Sequence, residues 1–420
     1  MKKILSLFLA AVMLFGCVAV FASCGGKTVD TKAALIALHG ESSTYDKNFI
    51  DAFKIACKNK GLKDENVTII TDIPEGTECY DEAANFADEG YDVVFADSFG
   101  HEKYMLQAAK EFPDVQFCHA TGTTAHTANT ANFQNAFAAI YEGRYLAGVA
   151  AGLKLLEMYG SDITDAEAKV GYVAAWPYAE VISGYTSWFL GVRSVVPNAT
   201  MEVRYTNSWY DEPGEMATAN ALIEAGCKLI SQHADSMGAP TACENKNIPN
   251  VAYNGTTGKT NTFIIASKIN WVPYFEYMLD CVIKGKDIDT DYTGTIASKS
   301  VEITVLGTAA AAGTQAKLDA VKAELAAGTL KVFDCSKFTV NGAKADTSDF
   351  SKASYITMDA EGHLTAYLAD VVDDGTYTGE TDVIKTENGV TYFAESAFRS
   401  APYFDIVIDG ITIGATVVEQ

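Results

Sequence analysis

The sequence is short of positive charge. Its 420 residues carry 31 Lys and Arg against 54 Asp and Glu, a formal net charge of −23. Nucleic-acid binders gather Lys and Arg against phosphate, so this balance argues against a nucleic-acid partner and against polybasic docking to anionic lipid. Nine cysteines are present, yet none forms a Cys-x-x-Cys pair. A zinc ribbon or thioredoxin-like site is therefore not expected. The six histidines are scattered, with no HExxH spacing, so no metal and no cofactor is implied. Only His39, at a strand end, is placed near a cleft. Gly255-Thr256-Thr257-Gly258-Lys259-Thr260 has two residues between its glycines where a phosphate loop needs four. Ala96-Asp97-Ser98-Phe99-Gly100 has Ala where a nucleophile elbow needs its first Gly, and no His–acid partnership accompanies it. Without a positioned acid–base set, an enzyme such as a nucleoside hydrolase is not expected.

What is present is a large apolar share, 48% against 20% charged, which excludes disorder and predicts a sizeable core. Lys2 and Lys3 precede an apolar run from Ile4 to about Phe21. A charged start, an apolar run and small residues at its end read as a signal peptide over residues 1–23. The end, Phe21-Ala22-Ser23-Cys24-Gly25, resembles a bacterial lipobox, which implies lipidation at Cys24 and a tether over 24–32. No second apolar stretch is long enough to span a bilayer. Cys57 and Cys281 sit on apolar helical faces and read as small buried hydrophobes.

From Ala33 onward, strand-like runs alternate with helical patterns. Ala33–Leu38 suits a strand covered on both faces, and Tyr45–Lys60 is helical, with Phe49, Ala52, Phe53, Ala56 and Cys57 on one face. Further strands are predicted at Val67–Thr71, Tyr91–Ala96, Val115–His119, Val170–Ala174, Glu202–Tyr205, Lys228–Gln232, Val251–Tyr253 and Phe263–Ala266. This order defines parallel α/β sheets. The chain also repeats itself. Ala96-Asp97-Ser98-Phe99-Gly100 and Ala234-Asp235-Ser236-Met237-Gly238 each follow a strand, where Asp or Ser can cap the next helix. Two such units imply two lobes, whose strand ends could face each other across a cleft. The tail, residues 346–420, reads as a β-rich extension. Its predicted strands are Ser354–Met358, His363–Leu368, Val390–Phe393 and Phe404–Ile408, separated by turn pairs such as Asp374-Gly375. Because few of the matches described below fall in it, a chain ending near Ala345 is expected to fold and bind.

Aromatic residues stand at many of these strand ends: Tyr45 and Phe49, Phe99, Trp176-Pro177-Tyr178, Trp209-Tyr210-Asp211 and Asn270-Trp271. Core packing accounts for any one of them. As a group, planar rings there could sandwich a flat ligand whose polar edge is held by Asp and Asn.

These segments carry a resemblance. Tyr45-Asp46-Lys47-Asn48-Phe49, Ala96–Gly100, Ala108–Val115, Tyr141-Glu142-Gly143-Arg144-Tyr145-Leu146-Ala147-Gly148, Lys169–Val173, Asn207–Asp211, Gln232–Ser236 and Asn270–Tyr274 run in order over about residues 33–335. Together they are similar to the basic membrane protein (BMP) family, solute-binding lipoproteins of ABC transporters that include purine nucleoside receptors. The resemblance implies a type I periplasmic-binding fold, two doubly wound α/β lobes around a ligand cleft. Lobe 1 is expected at about 33–145 and 255–290, and lobe 2 at about 146–254 and 291–345. The expected ligand is a purine nucleoside or purine base. The expected partners are the permease subunits and, through the lipid anchor, the extracytoplasmic face of the cell membrane. Phe49 and Trp176 match the aromatic clamp and Glu142 an acidic position; Asn254 stands where many relatives carry Asp and Asn270 where nucleoside receptors often carry Lys, and with Asp235 they are expected to read base edge or sugar. Tyr45, Asp46, Phe99, Trp209 and Trp271 complete the candidate site. The early Asp-x-Gly of the nucleoside receptors is missing, with His39-Gly40-Glu41 in its place. A sugar, vitamin or signalling molecule on the same fold is the alternative ligand.

Overall fold

The structure, a computed structural model, describes residues 29–340, 356–368 and 382–417. The signal peptide, Cys24 and the Asp374-Gly375 turn lie outside them. Residues 29–32 belong to the body rather than to a free tether. Val29 donates its N–H to the Gly61 carbonyl at 3.0 Å, and the Lys32 N–H donates to Asp92 at 2.8 Å.

In chain order the strands are β1 (Ala33–Ile36), β2 (Val67–Ile70), β3 (Val93–Ala96), β4 (Gln116–Ala120), β5 (Phe133–Ala138), β6 (Lys169–Ala174), β7 (Thr200–Tyr205), β8 (Ile230–Gln232), β9 (Asn250–Tyr253) and β10 (Phe263–Ile269). β11 (Asp291–Gly294), β12 (Val301–Ile303), β13 (Ile356–Met358), β14 (Leu364–Tyr367), β15 (Ile384–Glu387), β16 (Val390–Phe393) and β17 (Ile411–Ile413) follow. The helices are α1 (Thr44–Lys60), α2 (Thr77–Asp88), α3 (Glu102–Glu111), α4 (Ala125–Ala128), α5 (Ile140–Tyr159), α6 (Ala179–Arg193), α7 (Glu212–Glu224), α8 (Gly238–Lys246), α9 (Val272–Lys284) and α10 (Thr314–Ala326).

Beside two small antiparallel sheets that the tail adds, β13-β14 and β15-β16, two large sheets form the two doubly wound α/β lobes that the sequence implied. The first has the order β11-β5-β4-β3-β1-β2 and is parallel throughout. The second has the order β12-β10-β9-β8-β6-β7-β17, with β12 antiparallel. The central strands are buried along their length, as continuous apolar runs require when helices cover both faces. Each helix offers one apolar side. Phe49, Ala52, Phe53 and Ala56 of α1 are at most 5% exposed, while Ser43 caps its start and Gly61, at φ 76°, ends it. In the second lobe α5 and α6 touch backbone to backbone. A Cβ at Gly148 would lie 2.0 Å from the Trp188 carbonyl oxygen, and one at Gly191 would lie 2.2 Å from that of Tyr145.

Three crossovers join the lobes, and they move the expected boundaries. β10 belongs to the second sheet although residues 255–290 were assigned to lobe 1, and β11 belongs to the first sheet although 291–345 were assigned to lobe 2. The segment 255–262, glycine-rich like a phosphate loop, is a plain connection between β9 and β10.

The tail is β-rich as expected, with strands at three of the four predicted places, β13, β14 and β16, but its last part departs from expectation. Residues 404–408 form no regular strand, yet Phe404, Ile406 and Ile408 are at most 1% exposed in the main core. Phe404 stacks on Phe333 at 4.7 Å. β17 pairs with β7, so the last described strand extends the second sheet. Ser400 donates to Asp291 of β11 through its N–H at 2.7 Å and its hydroxyl at 2.8 Å. Part of the tail is thus woven into the body, which overturns the idea that it can be removed freely.

Candidate ligand cleft between the lobes

The ends of β1, β3 and β4 in the first lobe face the ends of β6 to β9 in the second. A pocket of about 360 Å³ of unfilled space, part of it open to solvent, lies between them. Leu38, His39, Tyr45, Asp46, Ser98, Phe99 and Thr121 line it from the first lobe; Glu180, Trp209, His233, Asp235 and Tyr253 line it from the second. All but Tyr253, which closes β9, lie just beyond strand C-termini, where open α/β sheets bind ligands. The lobes touch across it. The Thr44 hydroxyl donates to the Tyr253 carbonyl at 3.2 Å, and the rings of Phe99 and Tyr178 stack at 5.2 Å.

The first-lobe wall is held by hydrogen bonds. Asp46 accepts from the His39 N–H at 2.8 Å and the Ser43 hydroxyl at 2.5 Å. The Tyr45 hydroxyl donates to the Asp97 carbonyl at 2.8 Å. Asp97, fully buried, accepts from the Leu38 N–H at 3.1 Å. Burial, and then the neighbouring Asp46 carboxyl, push the Asp97 carboxyl well above its usual range. The second-lobe wall is less satisfied. Asp235 is 5% exposed, and its Oδ1 has no hydrogen-bond partner among the described residues. Burial raises its carboxyl strongly, Asp46, Glu215 and Glu180 add to this, and Arg144 opposes it. His233 Nε2 lies 3.3 Å from Glu180. Among the described residues no group of His, Cys, Asp and Glu could hold a metal ion. The seven described cysteines are free and buried.

Of the residues proposed from sequence, the pocket brings together Tyr45, Asp46, Phe99, Trp209 and Asp235. The others lie elsewhere, for physical reasons. Phe49 is one helical turn deeper than Tyr45, is fully buried, and stacks on Trp271 at 4.3 Å, so both of these rings are core. Trp176 packs on the second-lobe apolar cluster and against Tyr178, off the pocket wall. Asn254 sits at φ 59° and accepts from the Ile269 N–H, a structural bond between β9 and β10. Asn270 and Glu142 sit at the crossovers between the lobes. Asn270 accepts from the Val272 N–H and donates to the Lys299 carbonyl and to Glu302, at 3.1 Å each. Glu142 accepts from the Ile296 N–H at 2.7 Å, and burial raises its carboxyl to about 7.

Sequence reasoning missed Glu180, His233 and Tyr253. Each had a signal. His233 stands inside the repeated motif beside Asp235, Tyr253 closes a predicted strand, and Glu180 follows Trp176-Pro177-Tyr178 by two residues. His39 was placed correctly near the cleft.

A two-lobed α/β body with a lined cleft at the facing strand ends is a solute-binding architecture. The family model described as "ABC transporter substrate-binding protein PnrA-like" (Bmp) matches residues 37–325, and the chain belongs to that family. It is a family of substrate-binding proteins, not of enzymes. Among curated relatives, a protein of Haloferax volcanii named as an ABC transporter glucose-binding protein is 34% identical over 202 residues, 48% of each chain. A purine-binding protein of Brucella abortus is 33% identical over 221 residues, 52% of this chain and 59% of that one. The chain thus spans about half the length of these relatives. An ABC transporter solute-binding protein of Conexibacter woesei superposes with TM-score 0.58 at 22% identity, over 72% of this chain and 98% of that one. One of Aeropyrum pernix gives TM-score 0.60 at 13% identity, over 72% and 93%. These neighbours share the fold. No helix among the described residues is long and apolar enough to cross a membrane.

Proposed function

We propose that the protein is the extracytoplasmic, lipid-anchored substrate-binding component of an ABC importer, capturing a purine nucleoside or purine base and passing it to the permease. The observation that carries this is a pocket with aromatic rings from both lobes, Tyr45 and Phe99 against Trp209 and Tyr253, lined by Asp46, Glu180 and Asp235 and by no Lys or Arg. Planar rings suit a planar base, and carboxyl groups accept from its N–H groups or from ribose hydroxyls. A phosphate would meet acids instead of the cations it needs, which favours nucleosides over nucleotides. The purine-binding relative of Brucella supports the ligand class. The anchor rests on the charged start, apolar run and Cys24-Gly25 end of residues 1–25.

A sugar is the second reading. The Haloferax relative named for glucose supports it, and rings beside carboxyl groups also suit a pyranose. Calorimetric titration of the intact chain with adenosine, inosine, hypoxanthine and glucose separates the two. Saturable binding of a purine with no heat from glucose supports the proposal; the reverse pattern replaces it with the sugar.

A further inference from the structure

Behind the second-lobe wall lies a buried cation that the ligand reading does not use. Arg144, on the first turns of α5, is 1% exposed. Its Nη1 donates to the Gln232 carbonyl at 2.8 Å, and its guanidinium carbon lies 3.5 Å from the centre of the Tyr253 ring. Its Nε and Nη2 have no hydrogen-bond partner among the described residues, and no carboxylate reaches it within ion-pair distance. A charge held this way is costly unless its surroundings answer it, so its retention asks for a role.

The geometry supplies one. Gly184 of α6 stands beside both Arg144 and His233: a Cβ there would come within 3.0 Å of His233 Nδ1 and 3.6 Å of Arg144 Nε. The bare glycine leaves room for these two nitrogens on one side of the helix. His233 Nδ1 has no hydrogen-bond partner among the described residues, while its Nε2 faces Glu180, and its ring lies 5.0 Å from that of Tyr253. Three of the four groups, Glu180, His233 and Tyr253, line the pocket; Arg144 stands behind them.

We propose that Arg144 is a positioning residue of the cleft: it backs the Tyr253 ring and sets a fixed positive charge beside His233, so that His233 offers one N–H to Glu180 and Glu180 presents a carboxylate to the ligand. This rests on the cleft being the ligand site. The groups facing His233 are Arg144 from α5, Glu180 from α6 and Tyr253 from β9, with Asp235 and Tyr172 also close to Arg144. Burial, and then Arg144, push the His233 imidazole below its usual range, and Glu180 pulls the other way. A protonated His233 would instead pair with Glu180 and withdraw it from a ligand donor.

The test uses the intact chain with isotope-labelled histidine, the His233 resonance being assigned by its loss in His233→Gln. Without ligand, His233 should titrate below an ordinary imidazole. Arg144→Gln should raise its titration by about one unit, and Arg144→Lys should leave it near wild type. With adenosine as probe, Arg144→Gln should weaken binding by about 10-fold at pH 5.5 and less at pH 8, with most affinity restored in Arg144→Lys. Arg144→Met stands in if the Gln variant fails to fold. A folded neutral variant with an unchanged His233 titration would overturn the proposal and leave Arg144 as core filling. Should wild type bind no adenosine, the ligand reading falls while the histidine titration still decides the role of Arg144.

Discussion

The two lobes present the same strand–Ala-Asp-Ser-x-Gly unit to the cleft and finish it differently. In the first, Asp97 lies off the pocket wall, accepts from the Leu38 N–H and sits beside Asp46, with its Oδ2 unpartnered among the described residues. In the second, Asp235 keeps an unpartnered oxygen at the pocket, and Arg144 Nε, His233 Nδ1 and the Tyr253 hydroxyl are likewise unanswered among the described residues. The first wall is preorganised by its own hydrogen bonds. The second holds the polar groups that a ligand, or water in its place, must complete. A repeated motif therefore marks where a site lies without fixing which copy binds.

The lobes differ as well in their dependence on the tail. The first meets it at Asp291 through Ser400, whereas the second takes β17 into its sheet and buries Phe404 against Phe333. Ending the chain at Val340 should give the largest effect. Each buried aromatic lost costs about 3–5 kcal/mol, and several together exceed the ~5–15 kcal/mol that holds a domain. The expected outcome in urea unfolding is loss of the cooperative transition of the second lobe. A truncated chain with wild-type midpoint and slope would show the lobes to be equally independent of the tail.

Next in size is Phe49→Ala in the first lobe, which should lower stability by about 3–5 kcal/mol because its ring is fully buried on Trp271. Melting should detect it, while purine affinity of the folded fraction stays within a few-fold. A large loss of affinity at unchanged stability would return Phe49 to the clamp.

A somewhat smaller effect concerns pH. Burial raises the Glu395 carboxyl from 4.5 to about 7, against the hydrogen bonds it accepts from the Phe404 N–H. Between those values the folded protein keeps a proton that the unfolded chain releases, so stability falls as pH rises from 4.5 to 7 and then levels. Its share is on the order of 3 kcal/mol. Thermal melting from pH 4.5 to 8 should show that decline, which Glu142 and Glu215, also raised to about 7, share; Glu395→Gln should make it shallower. The same slope in wild type and variant would contradict the assignment.

Much of this was legible in the sequence. The nine strands predicted between Ala33 and Ala266 all form; β1 and β3 are written as unbroken apolar runs, and β7 as an alternation of buried and less buried residues. β5 was missed because Gln134 and Asn135 interrupt its apolar pattern, and the structure satisfies them with the Ala131 carbonyl and Glu102. The site was read less well, for a geometric reason. Tyr45 and Phe49 lie four residues apart on one helix face, and sequence alone does not say which turn reaches the cleft and which reaches the core. Glu142 and Asn270 carry ligand-like chemistry but hold the crossovers together.

The smallest expected change sharpens the second-lobe side. Trp209→Ala should weaken purine binding by about 5- to 150-fold, the worth of ~1–3 kcal/mol of base stacking, with little change in melting since the ring is only partly buried. An intact melting curve with unchanged affinity would move the clamp away from Trp209.

The most direct measurement on the central claim is mass spectrometry of the small molecule released from the intact protein, purified without added ligand and denatured afterwards. The account predicts a purine base or nucleoside, unphosphorylated and chemically unchanged. A hexose, or a nucleotide carrying phosphate into a pocket lined by Asp46, Glu180 and Asp235, would contradict it.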